Sequence, residues 1–418
     1  MAMAISLKSS ANAVLLSCIV ILLSSSSGCE ANGRVGGGSI GAGGHKRDPS
    51  EIVFNVLKFG AVPDGKKDNA IEFIRAWRAA CDSPGKARLV IPAGNFIAGP
   101  IVFQGPCKGP PPITVQLIGN VKALPDMSSY SEDFWITFEK IDGLIVTGTG
   151  TIDGQGSLVW KYDDCKKGGS CSVLPANIKF NHVTNAIIRQ FTSVDPMGFH
   201  IGIVLSQNVK VRRLHIRAPG DSPNTDGIHI SQSSQVKIAR SIIETGDDCI
   251  GIIQGSTDIS IVKVTCGPGH GISVGSLGKY PDEKDVRGIL VRNCTLKGTT
   301  NGLRIKTWGG SPPSLASDMT YENIIMENVK NPIIIDQSYG KANAPSKVKI
   351  SDVRFTNVVG TTVSDVAVDL SCSQQVPCEG VELTNINLKN TGPEPLTSNC
   401  VNVRVKYAGM QFPPPCPK

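Results

Sequence analysis

The sequence lacks the features that mark several common protein classes. Aromatic residues make up only 5% of the 418 residues, and no CxxC pair occurs in the chain, so a zinc site has no support. No run of Lys and Arg with interleaved aromatics is present, which argues against nucleic acid as a partner. The most apolar stretch, AVLLSCIVILL, is too short to span a bilayer.

What the sequence does have is glycine and a mild positive charge. There are 45 glycines and a formal net charge of +7. Together with evenly scattered Val, Ile and Asn, this composition favours a β-rich soluble protein over a helical one. The charge favours an anionic partner without identifying the anion.

The first fifty residues are predicted to lie outside the fold. Lys8 and the apolar stretch after it are typical of a secretory signal peptide over residues 1–31, with cleavage between Gly28 and Ala31. A signal anchor is the alternative. Residues 32–50 contain GGG and GAGG but no flanking strand or helix, so they are interpreted as a Gly-rich linker rather than a phosphate loop. No shift in composition divides residues 51–418, so we expect one domain there.

Eleven cysteines remain after the signal peptide, and most are expected to pair in a secreted protein. Close spacing favours the pairs Cys165–Cys171, Cys249–Cys266, Cys372–Cys378 and Cys400–Cys416, followed by Cys81–Cys107. Cys294 is left as a buried free thiol. It lies inside Asn293-Cys294-Thr295, which is a sequon for N-glycosylation.

A short pattern, often opened by an Asn or Asp and continued by alternating apolar residues, recurs through the second half of the chain. Its copies begin at residues 185, 208, 235, 258, 287, 318, 347 and 380. Units of this length cannot bury their apolar faces alone, but stacked rungs can. We therefore expect an all-β, right-handed parallel β-helix, with a propeller as the alternative. Before the repeats, Ile71, Ile74 and Trp77 follow helical spacing with Asp68 as N-cap, which predicts a short helix that caps the solenoid.

Three turns share a spacing that predicts a site. NTDGIHI begins at 224, GDDCIGI at 246 and PGHGISV at 268, so the starts are 22 residues apart. If each interval is one rung, Asp226, Asp248 and His270 stack in one column, with Asp247 beside them. On the following rung, the alternation in NGLRIK brings Arg304 and Lys306 onto one face.

Polar turn ladders stabilise β-helices without any chemistry, and for a single residue that interpretation is preferred. Three mutually repelling carboxylates are unnecessary for a turn, so the joint pattern favours a site. His200, His215 and His229 have no such company and are interpreted as ordinary strand residues.

The residue set suits glycoside hydrolysis. One carboxylic acid protonates the leaving oxygen while another carboxylate activates water on the opposite face, with carboxyl groups roughly 6.5–9.5 Å apart in inverting enzymes. Neighbouring charges raise one pKa and keep that carboxyl protonated. Arg304 and Lys306 would bind an anionic sugar, and arginine can grip a carboxylate bidentately.

The ordered set NTD, GDD, GHG and RIK resembles the polygalacturonases of glycoside hydrolase family 28. NVLKFGAVPDG, CGPGHGISVGSLGKY, TTNGLRIKTW and NPIIIDQ are most similar to the plant pollen-type exopolygalacturonases. The resemblance extends from about Val53 to the C-terminus and implies inverting hydrolysis of α-1,4-linked galacturonan, no metal and no cofactor.

By motif position, the resemblance implies that Asp247 is the proton donor, that Asp226 and Asp248 activate water, and that His270 tunes their protonation and binds substrate. It also implies that Arg304, Lys306 and Tyr339 bind substrate, and that Asn224 orients its turn and contacts the sugar. Two departures stand out: Gly340 occupies a position where relatives often have Cys, and Gly251 one where they usually have Ser.

The expected protein is therefore a secreted, monomeric hydrolase of pectin or polygalacturonate that acts from the non-reducing end. Its partner is an anionic polysaccharide, with no nucleic acid and no membrane once the signal is removed. Endo action on the same substrate remains an alternative. So do a pectate lyase and a non-catalytic pectin-binding wall protein on the same scaffold.

Overall fold

The computed structural model describes residues 50–163, 174–340 and 344–417. The predicted signal peptide, all but Ser50 of the predicted linker and the predicted Cys165–Cys171 pair lie outside these residues. Within them, no helix is both long enough and apolar enough to cross a membrane.

The described residues form strands, one α-helix and four short 3₁₀ turns. The α-helix is α1 (Ala70–Asp82), and the 3₁₀ turns span Val56–Phe59, Met127–Ser129, Gly156–Leu158 and Trp160–Tyr162. The strands of the first half are β1 (Ile52–Asn55), β2 (Asp64–Asp68), β3 (Ala87–Ile91), β4 (Asn95–Ala98), β5 (Ile101–Gln104), β6 (Ile113–Leu117), β7 (Asn120–Ala123), β8 (Phe134–Glu139), β9 (Asp142–Gly148), β10 (Thr151–Asp153), β11 (Ala176–Asn181), β12 (Thr184–Arg189), β13 (Thr192–Val194), β14 (Ile201–Val204), β15 (Gln207–Arg212) and β16 (His215–Arg217). Those of the second half are β17 (Ile228–Ser231), β18 (Lys237–Ala239), β19 (Ile242–Glu244), β20 (Ile250–Ile252), β21 (Thr257–Val262), β22 (Thr265–Cys266), β23 (Ile272–Leu277), β24 (Val286–Arg292), β25 (Thr295–Lys297), β26 (Asn301–Trp308), β27 (Ser314–Val329), β28 (Asn331–Tyr339), β29 (Val348–Thr362), β30 (Val366–Ser371), β31 (Cys378–Asn390), β32 (Thr397–Val401) and β33 (Val403–Phe412).

These strands pair in parallel with strands of the next rung and form three stacks. The first stack begins β1, β3, β6, β9 and β12, the second begins β2, β4, β7 and β10, and the two merge in the long strand β27. The third stack runs β5, β8, β11, β14, β17, β20, β23, β26, β28, β30 and β32. The predicted right-handed parallel β-helix is therefore confirmed, and the predicted repeats are successive rungs of its first stack.

The turns explain why Asn and Asp begin so many repeats. Asn185, Asn208, Asp258 and Asp318 all have φ between 54° and 58°, a left-handed conformation that short polar side chains tolerate best. A second set of left-handed residues forms the corner between the first and second stacks. There an amide ladder links Asn293, Asn323, Asn357 and Asn385, in which each side-chain nitrogen donates to the oxygen one rung before it at 2.9–3.2 Å.

The core consists of aligned apolar side chains. Ile201, Ile228, Ile250 and Ile272 lie in register on successive strands of the third stack, and each is at most 1% exposed. Deeper in the N-terminal rungs, the rings of Phe138 and Phe180 stack at 5.2 Å. Burial of apolar surface from one rung against the next is what makes the repeats stable together.

Helix α1 caps the N-terminal end of the solenoid, as predicted, but two details of that prediction are wrong. The N-cap is Asn69 rather than Asp68, although the Asp68 carboxylate accepts the N–H of Ala70 at 3.0 Å. The buried face carries Phe73 and Trp77, whereas Ile71 is 57% exposed. Ile71 therefore lies on the solvent side of the helix.

Four predicted disulfides are confirmed among the described residues. They are Cys81–Cys107, Cys249–Cys266, Cys372–Cys378 and Cys400–Cys416. Cys294 is free and buried, as predicted. Cys249–Cys266 matters most for the site, because Cys249 directly follows the two adjacent aspartates.

Candidate active site

The predicted column forms at the edge where strands of the third stack begin. The N–H of Gly227 donates to the carbonyl of Asp248 at 2.9 Å, and the N–H of Cys249 donates to that of Gly271 at 2.9 Å. This register continues the pairing of β17, β20 and β23. Asp226, Asp248 and His270 therefore follow one another on successive rungs, and we call these three residues the acid column.

Asp248 is the most tightly held carboxylate of the site. Its Oδ1 accepts from Arg304 Nη2 at 2.5 Å and from Ser273 Oγ at 2.7 Å, and its Oδ2 accepts from Lys306 Nζ at 2.9 Å. Only 4% of its side chain is exposed. Burial alone would raise the pKa of Asp248, but the charges of Lys306 and Arg304 and the hydrogen bonds outweigh it and hold the pKa below its ordinary value. Asp248 is therefore ionised.

Asp226 has the opposite electrostatic balance. Burial, together with the negative charges of Asp247 and Asp248, raises the pKa of Asp226 to about 6. The His229 ring nitrogen Nδ1, 3.4 Å from its Oδ2, offsets this only partly. Neighbouring carboxylates do help burial to raise one pKa, as expected, but the raised pKa belongs to Asp226, which is assigned to the water, and not to the assigned proton donor.

Asp247 is the most accessible of the three acids, with 26% of its side chain exposed. Its Oδ1 lies 2.8 Å from Nδ1 of His270 and also accepts the backbone N–H of Asp248 at 2.8 Å. The backbone carbonyl of Asp247 accepts the N–H of His270 at 2.7 Å. His270 therefore contacts Asp247 through its ring and its backbone, and both side chains remain open to solvent.

An open space separates the two buried acids. A Cβ atom on Gly251 would lie 3.3 Å from Asp226 Oδ2, 3.4 Å from His229 Nδ1 and 4.0 Å from Asp248 Oδ2. Since Gly251 has no side chain, it adds no atom between these groups. A water molecule there could be polarised by both carboxylates.

Arg304 and Lys306 lie on one face, as predicted, and both reach Asp248. Arg304 also donates from Nε to Ser273 Oγ at 3.0 Å. These two bonds use one N–H of Nε and one of Nη2, which leaves the second N–H of Nη2 and both N–H groups of Nη1 without a described partner. In this arrangement Nη1 and the second N–H of Nη2 can still grip a sugar carboxylate bidentately.

The interpretation of His229 as an ordinary strand residue is wrong. Its ring stacks on Phe199 at 4.6 Å, and it lies in register with Gly251 beside Asp226. The spacing of 22 residues contained this signal, since His229, Gly251 and Ser273 each lie three residues after a member of the acid column. The same spacing could have identified Ser273, which the sequence analysis did not single out.

The other two histidines stand apart from the site. His200 is fully buried, and burial lowers the pKa of its ring to about 3, so it is neutral and bonds Ser193 Oγ at 2.9 Å. His215 is exposed and pairs with Glu244 at 3.0 Å. His215 begins β16, as predicted, whereas His200 lies in the bend just before β14, where its backbone N–H donates to the carbonyl of Asp226 at 2.8 Å. Neither ring hydrogen-bonds a member of the acid column among the described residues.

Asn224 and Tyr339 occupy the flanks of the site. Asn224 has φ 54°, which suits the predicted role in shaping its turn. Tyr339 is in register with Trp308, and Lys306 Nζ lies 5.3 Å from its ring centre. A Cβ on Gly340 would lie 2.0 Å from the Trp308 ring, so this ring explains the glycine after Tyr339.

A cation could in principle be drawn to this cluster. One oxygen each from Asp247 and Asp248 and a ring nitrogen of His270 lie within 4.8 Å of one another. Both oxygens of Asp248 are already engaged by Arg304, Ser273 and Lys306. A positive ion would therefore meet two cations at the same carboxylate, which disfavours a metal site.

Comparison with known proteins gives one consistent answer. The model of the family described as glycosyl hydrolases family 28 matches residues 81–409. An exopolygalacturonase of Arabidopsis thaliana is 44% identical over 428 residues, with all of both chains covered. An exopolygalacturonase of Platanus acerifolia is also 44% identical, covering 87% of this chain and 97% of that protein.

Solved structures agree on the fold. An exopolygalacturonase from Thermotoga maritima has a TM-score of 0.69 at 20% identity, covering 86% of this chain and 93% of its own. An endo-xylogalacturonan hydrolase from Aspergillus tubingensis has a TM-score of 0.72 at 22% identity, covering 86% of this chain and 100% of its own. At these identities the likeness is one of fold.

Proposed function

This chain belongs to glycosyl hydrolase family 28 and is a glycoside hydrolase, and we propose that it removes galacturonate from the non-reducing end of polygalacturonate by inverting hydrolysis. The relatives named exopolygalacturonases support the substrate and the exo mode. The observation that carries the proposal is the pairing of a solvent-accessible acid, Asp247, with two buried acids of opposite electrostatic balance.

In the proposed reaction, Asp247 is the proton donor. It is the most exposed of the three carboxyl groups, so it can reach a glycosidic oxygen in the groove. His270, 2.8 Å away, orients the carboxyl. As the bond from the anomeric carbon to the leaving oxygen breaks, the proton of Asp247 passes to that oxygen.

Asp226 and Asp248 act on the water. A water held near Gly251 attacks the anomeric carbon from the face opposite the leaving group and loses its proton to one of these carboxylates. Asp248 is the group held ionised by Lys306 and Arg304, so it is the acceptor that needs no prior deprotonation. Asp226, with a pKa of about 6, orients the same water and accepts its proton above that pH.

The cations and the flanking residues bind the substrate. Lys306 and Arg304 neutralise Asp248 and carry further positive charge into a site for an acidic sugar. Tyr339 supplies a flat ring beside Lys306, and Asn224 holds the turn that carries Asp226. Binding of an anionic polysaccharide by these groups also agrees with the protein's net charge of +7.

We also propose that residues 1–31 direct the protein into the secretory route to the cell exterior and are cleaved during export. The mature enzyme is then a monomer with one domain over residues 51–418. A pectic polysaccharide of the cell wall is the substrate that such a location offers. Mass spectrometry of the protein secreted by expressing cells tests this directly. A mature N-terminus near Ala31 is the expected result, and an intact N-terminus in membranes would contradict it.

The test of the activity uses polygalacturonate and the full secreted protein. Release of reducing ends with and without a chelator is followed together with ultraviolet absorbance. Chelator-insensitive release without absorbance supports the hydrolase, and an absorbing unsaturated product would mean a lyase. Binding without release would mean a wall protein. Asp247→Asn is the matched inactive variant. Inversion of an α-1,4 linkage gives a β-anomeric first product, so an α-anomeric first product would contradict inversion.

A further inference from the structure

The acid column changes character one rung before Asp226. The N–H of Gly227, which follows Asp226, donates to the carbonyl of Asp248. In the same way the N–H of His200 donates to the carbonyl of Asp226 and the N–H of Asn177 to that of Phe199, so the column leads back from Asp226 to Phe199 and then to Ala176. Ala176 is in turn in register with Phe134. Towards the N-terminal rungs, the column of acids therefore continues as an aromatic and apolar one.

The rings of Phe134 and Phe199 both lie on the surface of the third stack. Phe199 stacks on His229 with ring centres 4.6 Å apart and planes 16° from parallel. A Cβ on Gly202 would come within 3.0 Å of Cε1 of Phe134. The ring of Phe134, which begins on β8, thus reaches over β11 to rest on β14.

A lysine accompanies this ring. Lys179 on β11 is in register with Gly202 and, one strand later, His229. Its Nζ lies 4.2 Å from the ring centre of Phe134, and among the described residues it has no carboxylate partner within ion-pair distance. A half-buried ammonium held on an aromatic face and not neutralised by a described acid is well suited to receive an anion.

Beyond the two rings, exposed acids follow. Asp126, Glu132 and Asp133 line a cavity of about 750 Å³ just before the aromatic rung. Their charges disfavour a polyuronate in this direction. Carboxylates also follow on the other side of the acids. Asp336 is in register with Lys306 on the next strand, and Asp369 is in register with Arg304 two strands on. Because carboxylates lie in both directions from the acid column, their repulsion cannot explain why the groove would be closed on one side only. The two aromatic rings are found on one side only.

We propose that Phe134 and Phe199 form an end wall that stops the polysaccharide, and that Lys179 binds the carboxylate of the terminal galacturonate against this wall. The proposal rests on the proposed function and explains its exo mode. The rungs of Phe199 and Asp248 are two strand spacings apart, about 10 Å. Only the end of a chain fits between the wall and the acids, so the bond cleaved is the one next to that end.

Phe134→Ala tests the wall, with Phe412→Ala as the matched control. Phe412 is 56% exposed and lies on β33, outside the third stack. Early products from polygalacturonate are separated by anion-exchange chromatography. We expect only monogalacturonate from the parent and the control, and mixed oligomers from Phe134→Ala. Exclusive monomer release by Phe134→Ala at the parental rate would overturn the wall.

Gly202→Ala provides a second, milder perturbation. The added methyl group meets chiefly the Phe134 ring, which is the movable end of a side chain, so the fold is expected to survive. Displacement of the ring should again admit longer chains and produce oligomers. Circular dichroism confirms folding of each variant. If Phe134→Ala and Gly202→Ala are both folded and both still release only monogalacturonate, the proposal is contradicted.

Lys179→Met tests the terminal contact, with Lys210→Met on the exposed side of β15 as the control. The expected result is a KM for polygalacturonate raised about ten- to hundredfold, the range for loss of a charged hydrogen bond. kcat should change less and monomer should remain the product. An unchanged KM would refute the role of Lys179.

The two levels of proposal fail in different ways. If the parent releases no reducing ends from polygalacturonate, the proposed function is wrong. If the parent releases mixed oligomers from the start, hydrolysis stands but the end wall does not exist. If the parent releases monomer and Phe134→Ala releases oligomers, both are supported.

Discussion

Replacement of Asp226 by Asn should stabilise the fold while it damages the enzyme. Burial first, and then the charges of Asp247 and Asp248, raise the pKa of Asp226 from 3.8 to about 6. At 1.36 kcal/mol per pKa unit, ionisation of this carboxyl costs the folded state about 3 kcal/mol. Because the folded pKa is the higher one, this cost is absent below about pH 3.8, grows as the pH rises through 6 and is complete at pH 8.

Urea unfolding at several pH values, with disulfides intact, measures this directly. Asp226→Asn should exceed the parent in free energy of unfolding by about 3 kcal/mol at pH 8, and most of the gain should vanish as the pH approaches 4. Asp318→Asn, at a side chain that is 70% exposed, should show a change within about 0.5 kcal/mol at every pH. Turnover of Asp226→Asn should fall, because the water loses one of its two carboxylates. A stability difference that does not depend on pH would refute the assignment of the raised pKa to Asp226.

Three further predictions concern the acid, the cations and the cap. Asp247→Asn should lower kcat about 10²- to 10⁴-fold with an unchanged circular dichroism spectrum. A substrate with a good leaving group should recover part of this loss, because its departure needs less help from an acid. A near-parental kcat would exclude Asp247 as the acid. Arg304→Ala should raise KM for polygalacturonate much more than for its methyl-esterified form, since the lost contact is with a charge; equal effects on both substrates would argue against a carboxylate contact. Trp77→Ala in the capping helix should cost about 3–5 kcal/mol in urea unfolding, because the indole is 1% exposed; a loss below 1 kcal/mol would show that the cap contributes little.

The sequence predicted the stacking of the acids because a solenoid converts spacing along the chain into neighbourhood in space. Intervals of 22 residues were enough to bring Asp226, Asp248 and His270 into one column. Alternation within a strand placed Arg304 and Lys306 on one face for the same reason. The four described disulfides followed from spacing alone.

The errors came from side-chain direction and from contacts between separate rungs. In the sequence His229 belongs to no cluster of carboxylates, which predicts an ordinary strand residue, yet alternation turns it outward beside Asp226. Ile71 fits a helical spacing, but which face of a helix is buried depends on what packs against it. The Phe134 ring reaches Gly202 across an intervening strand, a contact that no local pattern in the sequence encodes.

The asparagine ladder at the corner of the solenoid has a direction, and that direction singles out one atom for modification. Asn323, Asn357 and Asn385 each donate a side-chain nitrogen backwards, whereas the corner position before Asn293 is Lys263, which offers no amide oxygen. Asn293 accepts from Asn323, and no described residue accepts from its own nitrogen. A glycan joined to that nitrogen would keep every rung of the ladder. It would branch from the corner between the first and second stacks, a different corner from the one that carries the acids.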